Sequence, residues 1–285
     1  MLPSEHEIGP MRDDEIAMLV DWAAAEGWNP GLHDAEVART FDPEAFIALR
    51  VDGEFVGGGS IISYGGSYGF MGLFIVRPDR RHEGLGRVLW HYRRDHLAAR
   101  LRPGAPIGMD GVFDLVPFYE RGGFAVAHRD LRFEGRAVGA PDPAVESLAA
   151  VDAAELADYD TGRFGVPREG FLAGWIAAPG TISAAIRENG RLVAVGVLRP
   201  CREGWKIGPL TADRPDLAER LLGALLAAVE GERVQIDVPE PNAAALDLVA
   251  RGGLREVFGC ARMYRGPVPD LPLDRIFGVT SLEFG

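Results

Sequence analysis

The chain has 285 residues, of which 47% are hydrophobic and 25% charged, with a formal net charge of −12. That length holds two domains of ordinary size, and that composition folds as a globule rather than as a disordered or fibrous chain. The acidic surplus argues against nucleic acid and anionic membranes as partners and favours cationic small molecules.

The acidic start "MLPSEHEIGPMRDDE" lacks a basic flank and an apolar core, so no signal peptide is expected. A helix is predicted over Asp13–Ala25, stopped by Gly27 and "NPG". A second covers about His33–Thr40 and stops before Asp42–Pro43. Phe46–Val51 and Phe55–Tyr64 flank Asp52–Gly53 and read as a β-hairpin. "GFMGLFIV" (Gly69–Val76) is an apolar run closed by Pro78, as expected of a strand buried on both faces. Leu85, Val88, Leu89 and Tyr92 then recur at helical spacing, with Arg87, Arg93, Arg94 and Asp95 between them.

Gly84 and Gly86 therefore stand where the strand gives way to a helix, behind Arg80 and Arg81. Glycine admits φ > 0 and removes the Cβ that would hold a ligand off the backbone. The first amides of a helix have no internal partner and sit at its positive end. Together these make an anion site, although a plain helix-start turn uses the same residues. A strand in "APIGMDGVF", a short helix in "DLVPFYERGGF" and a strand in "AVAHRDLRFEG" complete the first half.

The second half repeats the plan. "ENGRLVAVGVL" (Glu188–Leu198) mirrors the first hairpin, and "GWKIGPLTA" (Gly204–Ala212) stands where the buried strand does. "LAERLLGALLAAVEG" and "RVQIDV" follow, and "LVARGGLREVFGCARMYRG" parallels "FYERGGFAVAHRDLRFEG". An internal duplication is expected, with domains at 1–137 and 146–285 and a joint near Gly135–Ser147. In the second copy the glycine turn is replaced by "DRPDLAER", where Pro215, Asp213 and Asp216 oppose a phosphate. Cys201 and Cys260, in unrelated contexts, support neither a disulfide framework nor a metal site, and fit a reduced cytoplasm. His82-Glu83 begins like a zinc-protease motif, but Gly86 holds the second histidine's place, so no metal is expected.

Two motifs carry a family resemblance: Arg81-His82-Glu83-Gly84-Leu85-Gly86 between a strand and a helix, and Tyr119 four residues before Gly123-Phe124. With these the first half resembles the GCN5-related N-acetyltransferase (GNAT) superfamily over about residues 8–135, and 150–265 resembles a degenerate second copy. "EGWNPG" and the C-terminal "GVTSLEFG" are similar to a bacterial subgroup with an appended acetyltransferase-like domain. The resemblance implies an α/β fold of two tandem domains, each a twisted mixed sheet flanked by helices. It implies acetyl-CoA as co-substrate, cradled by Arg81, His82, Glu83, Gly84, Leu85, Gly86 and Arg87, its pantetheine beside Phe74, Ile75 and Val76. Only the first copy is expected to bind it.

Acetyl is then expected to pass directly to a small primary amine, with Tyr119 donating to the departing thiolate. Tyr119 as a core aromatic is the alternative. Asp110, in "MDGV", suits a base or an amine-orienting carboxylate, and equally a turn-forming cap; Asp114 is a second candidate. The buried strand offers no glutamate base. Glu26, Trp28 and Asn29 lie in the connection that borders the acceptor site in the superfamily, where a helix stop would also place them. Asp158–Asp160 and Arg163–Arg168 could line a cleft between domains or cap a helix. Two other functions stay open: a tandem transferase of the mycothiol-synthase kind acting on an aminosugar conjugate, and a non-catalytic CoA-binding regulatory protein. A homodimer is one arrangement open to the chain.

Overall fold

The structure, a computed structural model, describes residues 6–285; the first five, part of the segment read for a signal peptide, lie outside the described residues. Strand β1 (His6–Pro10) leads into helices α1 (Asp13–Ala25) and α2 (Asp34–Phe41). The hairpin β2 (Phe46–Val51) and β3 (Glu54–Tyr64) follows, then β4 (Tyr68–Val76), α3 (Leu85–Ala99), β5 (Ile107–Val112), α4 (Val116–Arg121) and β6 (Ala125–Arg136). The second half runs β7 (Val145–Ser147), α5 (Ala153–Phe164), α6 (Glu169–Ala177), β8 (Ile182–Glu188) and β9 (Arg191–Pro200). It continues through β10 (Trp205–Ala212), α7 (Pro215–Ala227), β11 (Arg233–Pro239), α8 (Ala243–Arg251) and β12 (Arg255–Arg265), and adds β13 (Ile276–Gly278). Up to β12 the order of elements is the same in both halves. Both hairpins turn on a pair of residues with positive φ, Asp52-Gly53 and Asn189-Gly190, whose twist matches that of the flanking strands.

All strands join one sheet in the order β1-β2-β3-β4-β5-β12-β6-β11-β10-β9-β8-β7, with β13 on β10. The last strand of each half has crossed to the other: β12 pairs with β5 of the first half, and β6 with β11 of the second. The two crossed strands also pair with each other. Each crossing carries a buried ion pair between direct cross-strand partners. Arg132 Nε and Nη2 donate to Asp237 at 2.6 and 2.8 Å across β6 and β11. Arg262 donates to both oxygens of Asp110, each at 2.7 Å, across β12 and β5.

Among the described residues, three apolar clusters form the core. One lies between α3 and the first half of the sheet, one under α7 and α8, and the third is shared: Phe46, Phe70 and Ala38 of the first half meet Phe171, Trp175 and Phe284 of the second. On α3 the buried residues are Leu85, Leu89, Trp90, Arg93 and Leu97, while Val88 and Tyr92 are exposed. Of the residues that recur at helical spacing, Leu85 and Leu89 are thus in the core and Val88 and Tyr92 are not, while Arg93 between them is buried. The i, i+4 row from Leu85 runs through position 93, and an arginine occupies it.

Candidate active site

Strands β4 and β5 run parallel but pair only at Gly69–Met71 against Ile107–Met109, and beyond that they part. Between Gly58–Ile75 and Ser60–Gly72, β4 has two residues, Leu73 and Phe74, against the single Gly59 on β3: a bulge, with Leu73 at φ +50°. From Gly72 to Val76 the edge of β4 toward β5 is therefore open. A cavity of about 630 Å³ occupies the splay.

The turn into α3 closes one end. Gly84 is its N-cap at φ +84°, a conformation that suits glycine, and His82 has φ +70°. Among the described residues the amides of residues 82–86 donate no backbone hydrogen bond; the first to do so are those of Arg87 and Val88, both to Gly84 O. A Cβ on Gly86 would lie in ordinary contact with Phe74 and Val76 and would protrude into the cavity. Arg81, His82 and Gly86 line the cavity with Phe74, Ile75 and Val76. Glu83 instead pairs with Arg80, Leu85 buries its side chain in the core, and Arg87 is exposed. Of Leu85, only the amide is offered to an anion. Arg81 donates to Val76 O at 2.9 Å and to Glu26, tying the turn to the end of β4 and to α1.

Tyr119, on α4, lines the cavity at 3% exposure, and its hydroxyl has no hydrogen-bond partner among the described residues. Burial raises its pKa and Arg93 pulls it the other way, so the phenol keeps its proton at neutral pH. Arg93 is 1% exposed and lies under the bulge, donating to Ser60 O and Gly72 O at 2.5 Å each. Its Nε and Nη1 lack partners. Burial pushes it down to about 9, still a cation at neutral pH.

Asp110 reaches the cavity wall from strand β5, so it caps no turn. Its oxygens are held by Arg262, which also faces Asp130 at 3.2 Å. Burial pushes Asp110 above the ordinary carboxylate range; Arg262 opposes this, and Asp130 adds to it. Asp114 is exposed at the cavity's edge.

Glu26 and Trp28 line the cavity, and Asn29 does not. The Asn29 side chain donates to Glu203 O and Gln235 and accepts from Glu203 N, locking the first half onto the second. Its expected place against a substrate is corrected accordingly: every polar atom of the amide is bonded to the other half. The 158–168 segment is likewise away from the cavity, with Arg168 on Asp160 and Arg163 on Asp213. Sequence reasoning missed Arg93, Arg132 and Glu283, all of which line the cavity.

The equivalent splay in the second half is filled by the chain itself. Strands β10 and β11 pair at Trp205–Ile207, and where they part β13 lies against β10 at Leu210 and Thr211. Helix α7 opens with Pro215 at its start, beside an Arg214–Asp216 pair. Among the described residues no helix is long and apolar enough to cross a membrane.

This geometry places the chain among known proteins. Acetyltransferase (GNAT) domain models match residues 11–138 and 156–278. The chain belongs to the GNAT acetyltransferases, as a tandem of two such domains, and is an enzyme of that class. It is 29% identical over 280 residues to the holothin acyltransferase of Pseudoalteromonas sp. (strain SANK 73390), covering 97% of this chain and 93% of the relative. It is 33% identical over 131 residues to the mycothiol acetyltransferase of Streptomyces bingchenggensis (strain BCW-1), 42% of each chain. A Pyrococcus horikoshii structure assigned to the acetyltransferases shares the fold at TM-score 0.83, with 22% identity over 98% of this chain and 96% of that one. A tandem GNAT protein from the clavulanic acid pathway does so at TM-score 0.64, with 17% identity over 93% and 100%.

Proposed function

We propose that this enzyme transfers acetyl from acetyl-CoA to the primary amine of a small, cationic molecule, at a single site in the open splay of the first half. The observation that carries the proposal is the contrast between the halves: an open splay with a free amide cradle in one, the same splay filled by β13 in the other. The unbonded amides of residues 82–86, at the positive end of α3, suit the pyrophosphate. The open edge of β4 suits the pantetheine, as an added strand would pair there. Acetyl-CoA supplies the activated acyl group. Tyr119, protonated and unpartnered, supports a role as the donor of a proton to the leaving thiolate. Asp114 and Glu283 leave unpaired negative charge along the wall, which favours an amine that arrives as a cation. Two relatives are named as a holothin acyltransferase and a mycothiol acetyltransferase, which supports a small-molecule acceptor.

Calorimetric titration with CoA should give one site per chain, and Gly86→Val should abolish that site without lowering the thermal midpoint. Thioester consumption with a panel of amines then separates a transferase from a CoA-binding regulatory protein. Two sites per chain, or a folded Gly86→Val protein that binds like wild type, would refute the assignment. CoA binding without consumption for any amine would favour the regulatory reading.

A further inference from the structure

The segment after β13 does more than fill the second splay. Val279 N donates to Asp237 O on β11, and the chain then crosses to the first half. There it lies against the bulge of β4: a Cβ on Gly72 would collide with the Glu283 carbonyl, so that position has to be glycine. The Tyr64 hydroxyl donates to Phe284 O at 2.7 Å, and Ser60 Oγ to Glu283 O at 3.5 Å. Leu282 and Glu283 thereby become part of the cavity wall, next to Gly72 and Leu73.

Glu283 as a whole is 6% exposed. Ser281 Oγ donates to its Oε2 at 2.5 Å while accepting from Glu283 N at 2.9 Å, which fixes the side chain. Oε1 has no hydrogen-bond partner among the described residues, and no ion pair involves Glu283 there. The cations within electrostatic reach, Arg132, Arg199 and Lys206, are each hydrogen-bonded elsewhere: to Asp237, to Asp34, and to the carbonyls of Trp28 and Asn29. The other carboxylates of the cavity differ. Asp110 is clamped by Arg262, Glu26 is paired with Arg81, and Asp114 stands in solvent at the edge.

We propose that Glu283, delivered by the C-terminal segment, is the general base for the acceptor amine in the first half's site. The inference rests on the acetyl-transfer reading. An ammonium group gives one proton to the Glu283 carboxylate and becomes a neutral amine. Its nitrogen lone pair forms the bond to the thioester carbon, the C–S bond breaks, and sulfur leaves with its electron pair. The thiolate takes a proton from Tyr119, which recovers one from the new amide nitrogen. Glu283 releases its proton to solvent, so ammonium and acetyl-CoA yield acetamide, CoA thiol and one proton. The base absent from β4 is replaced by one laid across it.

Glu283→Gln keeps shape and hydrogen bonding while removing the base. With benzylamine and glucosamine as acceptors, kcat should fall by roughly 10²–10⁴, with CoA affinity by calorimetry and the thermal midpoint near wild type. Hydroxylamine, already neutral at neutral pH, needs no such base, and its rate should fall by less than about tenfold. Should Glu283→Gln fail to fold, Glu283→Asp keeps the charge but draws the carboxylate back by one methylene. It should show the same selective loss with the basic amines. Wild-type rates in either folded variant, or an equal loss with basic and neutral acceptors, would overturn the base role. A wild-type enzyme that binds CoA yet acetylates none of the three would overturn the transfer reading and this inference together.

Discussion

Tyr119 is held at the cavity wall by packing against Trp90 and Phe118, while its hydroxyl is left unbonded. Removing the oxygen alone therefore tests chemistry rather than packing. Tyr119→Phe should leave CoA affinity near wild type and lower turnover by roughly 10²–10⁴, the usual scale for a lost general acid. A loss seen mainly as weaker CoA binding would instead mark the residue as a packing element. The tyrosine and the glycine turn were legible because their signals are local: a helix start, a strand end and a short motif. Arg93 was not, because its burial depends on a neighbouring strand. A Cβ on Gly59 would collide with the Arg93 guanidinium, and nothing in the helix sequence announces that gap. Glu283 was not legible beyond a family-like terminus, since its place depends on where the whole second half docks.

At the level of strands, the hairpins, the buried β4 and the repeated order were readable from turn chemistry and apolar runs. The crossing of β6 and β12 was not. Both strands follow the same Arg-Gly-Gly stop, so their local patterns do not tell which copy each will pair with. The ion pairs show what the exchange does with charge. Arg132–Asp237 and Arg262–Asp110 are corresponding cross-strand pairs, yet only the first half has an open splay. Asp110 thus matches Asp237 as a cross-strand register pin, which accounts for its burial with Arg262. Burial alone would raise Asp237, but Arg132, by charge and hydrogen bond, outweighs it and holds the carboxyl below its ordinary range. A depressed carboxylate stabilises the fold above its unfolded pKa of about 3.9, and that contribution is lost as pH falls through the lower folded value. Asp237→Asn should cost about 3–5 kcal/mol at neutral pH, because Arg132 loses its carboxylate, and should lose that part of the acid sensitivity. Asp110→Asn should cost less, because Asp130 still faces Arg262. Denaturant unfolding of both variants across pH checks the order. A larger loss for Asp110→Asn, or a large loss of turnover in its folded form, would contradict the register role.

Over the whole molecule, the duplication does not produce two self-sufficient halves. Strand β12 stands between β5 and β6, so residues 1–137 alone would leave β5 paired only with β4 and β6 joined to nothing in its own half. They would also expose Phe46 and Phe70, which share a cluster with Phe171, Trp175 and Phe284 of the other half. An open sheet edge beside a bare apolar face favours aggregation over folding. Residues 1–137 expressed alone should therefore show no cooperative thermal transition and bind no CoA, although they contain the entire glycine cradle. Supplying residues 138–285 as a second chain should restore both, because the cut falls within the joint near Gly135–Ser147 and the crossed strands carry the contacts. The restored complex should acetylate amines at a rate near that of the intact chain, since Glu283 arrives with the second piece. If residues 1–137 alone melt cooperatively and bind CoA, the exchanged strands are dispensable and the first half is an independent domain. If they fold only with the second piece, the degenerate copy is what completes the sheet of the first, through the exchanged strands β6 and β12.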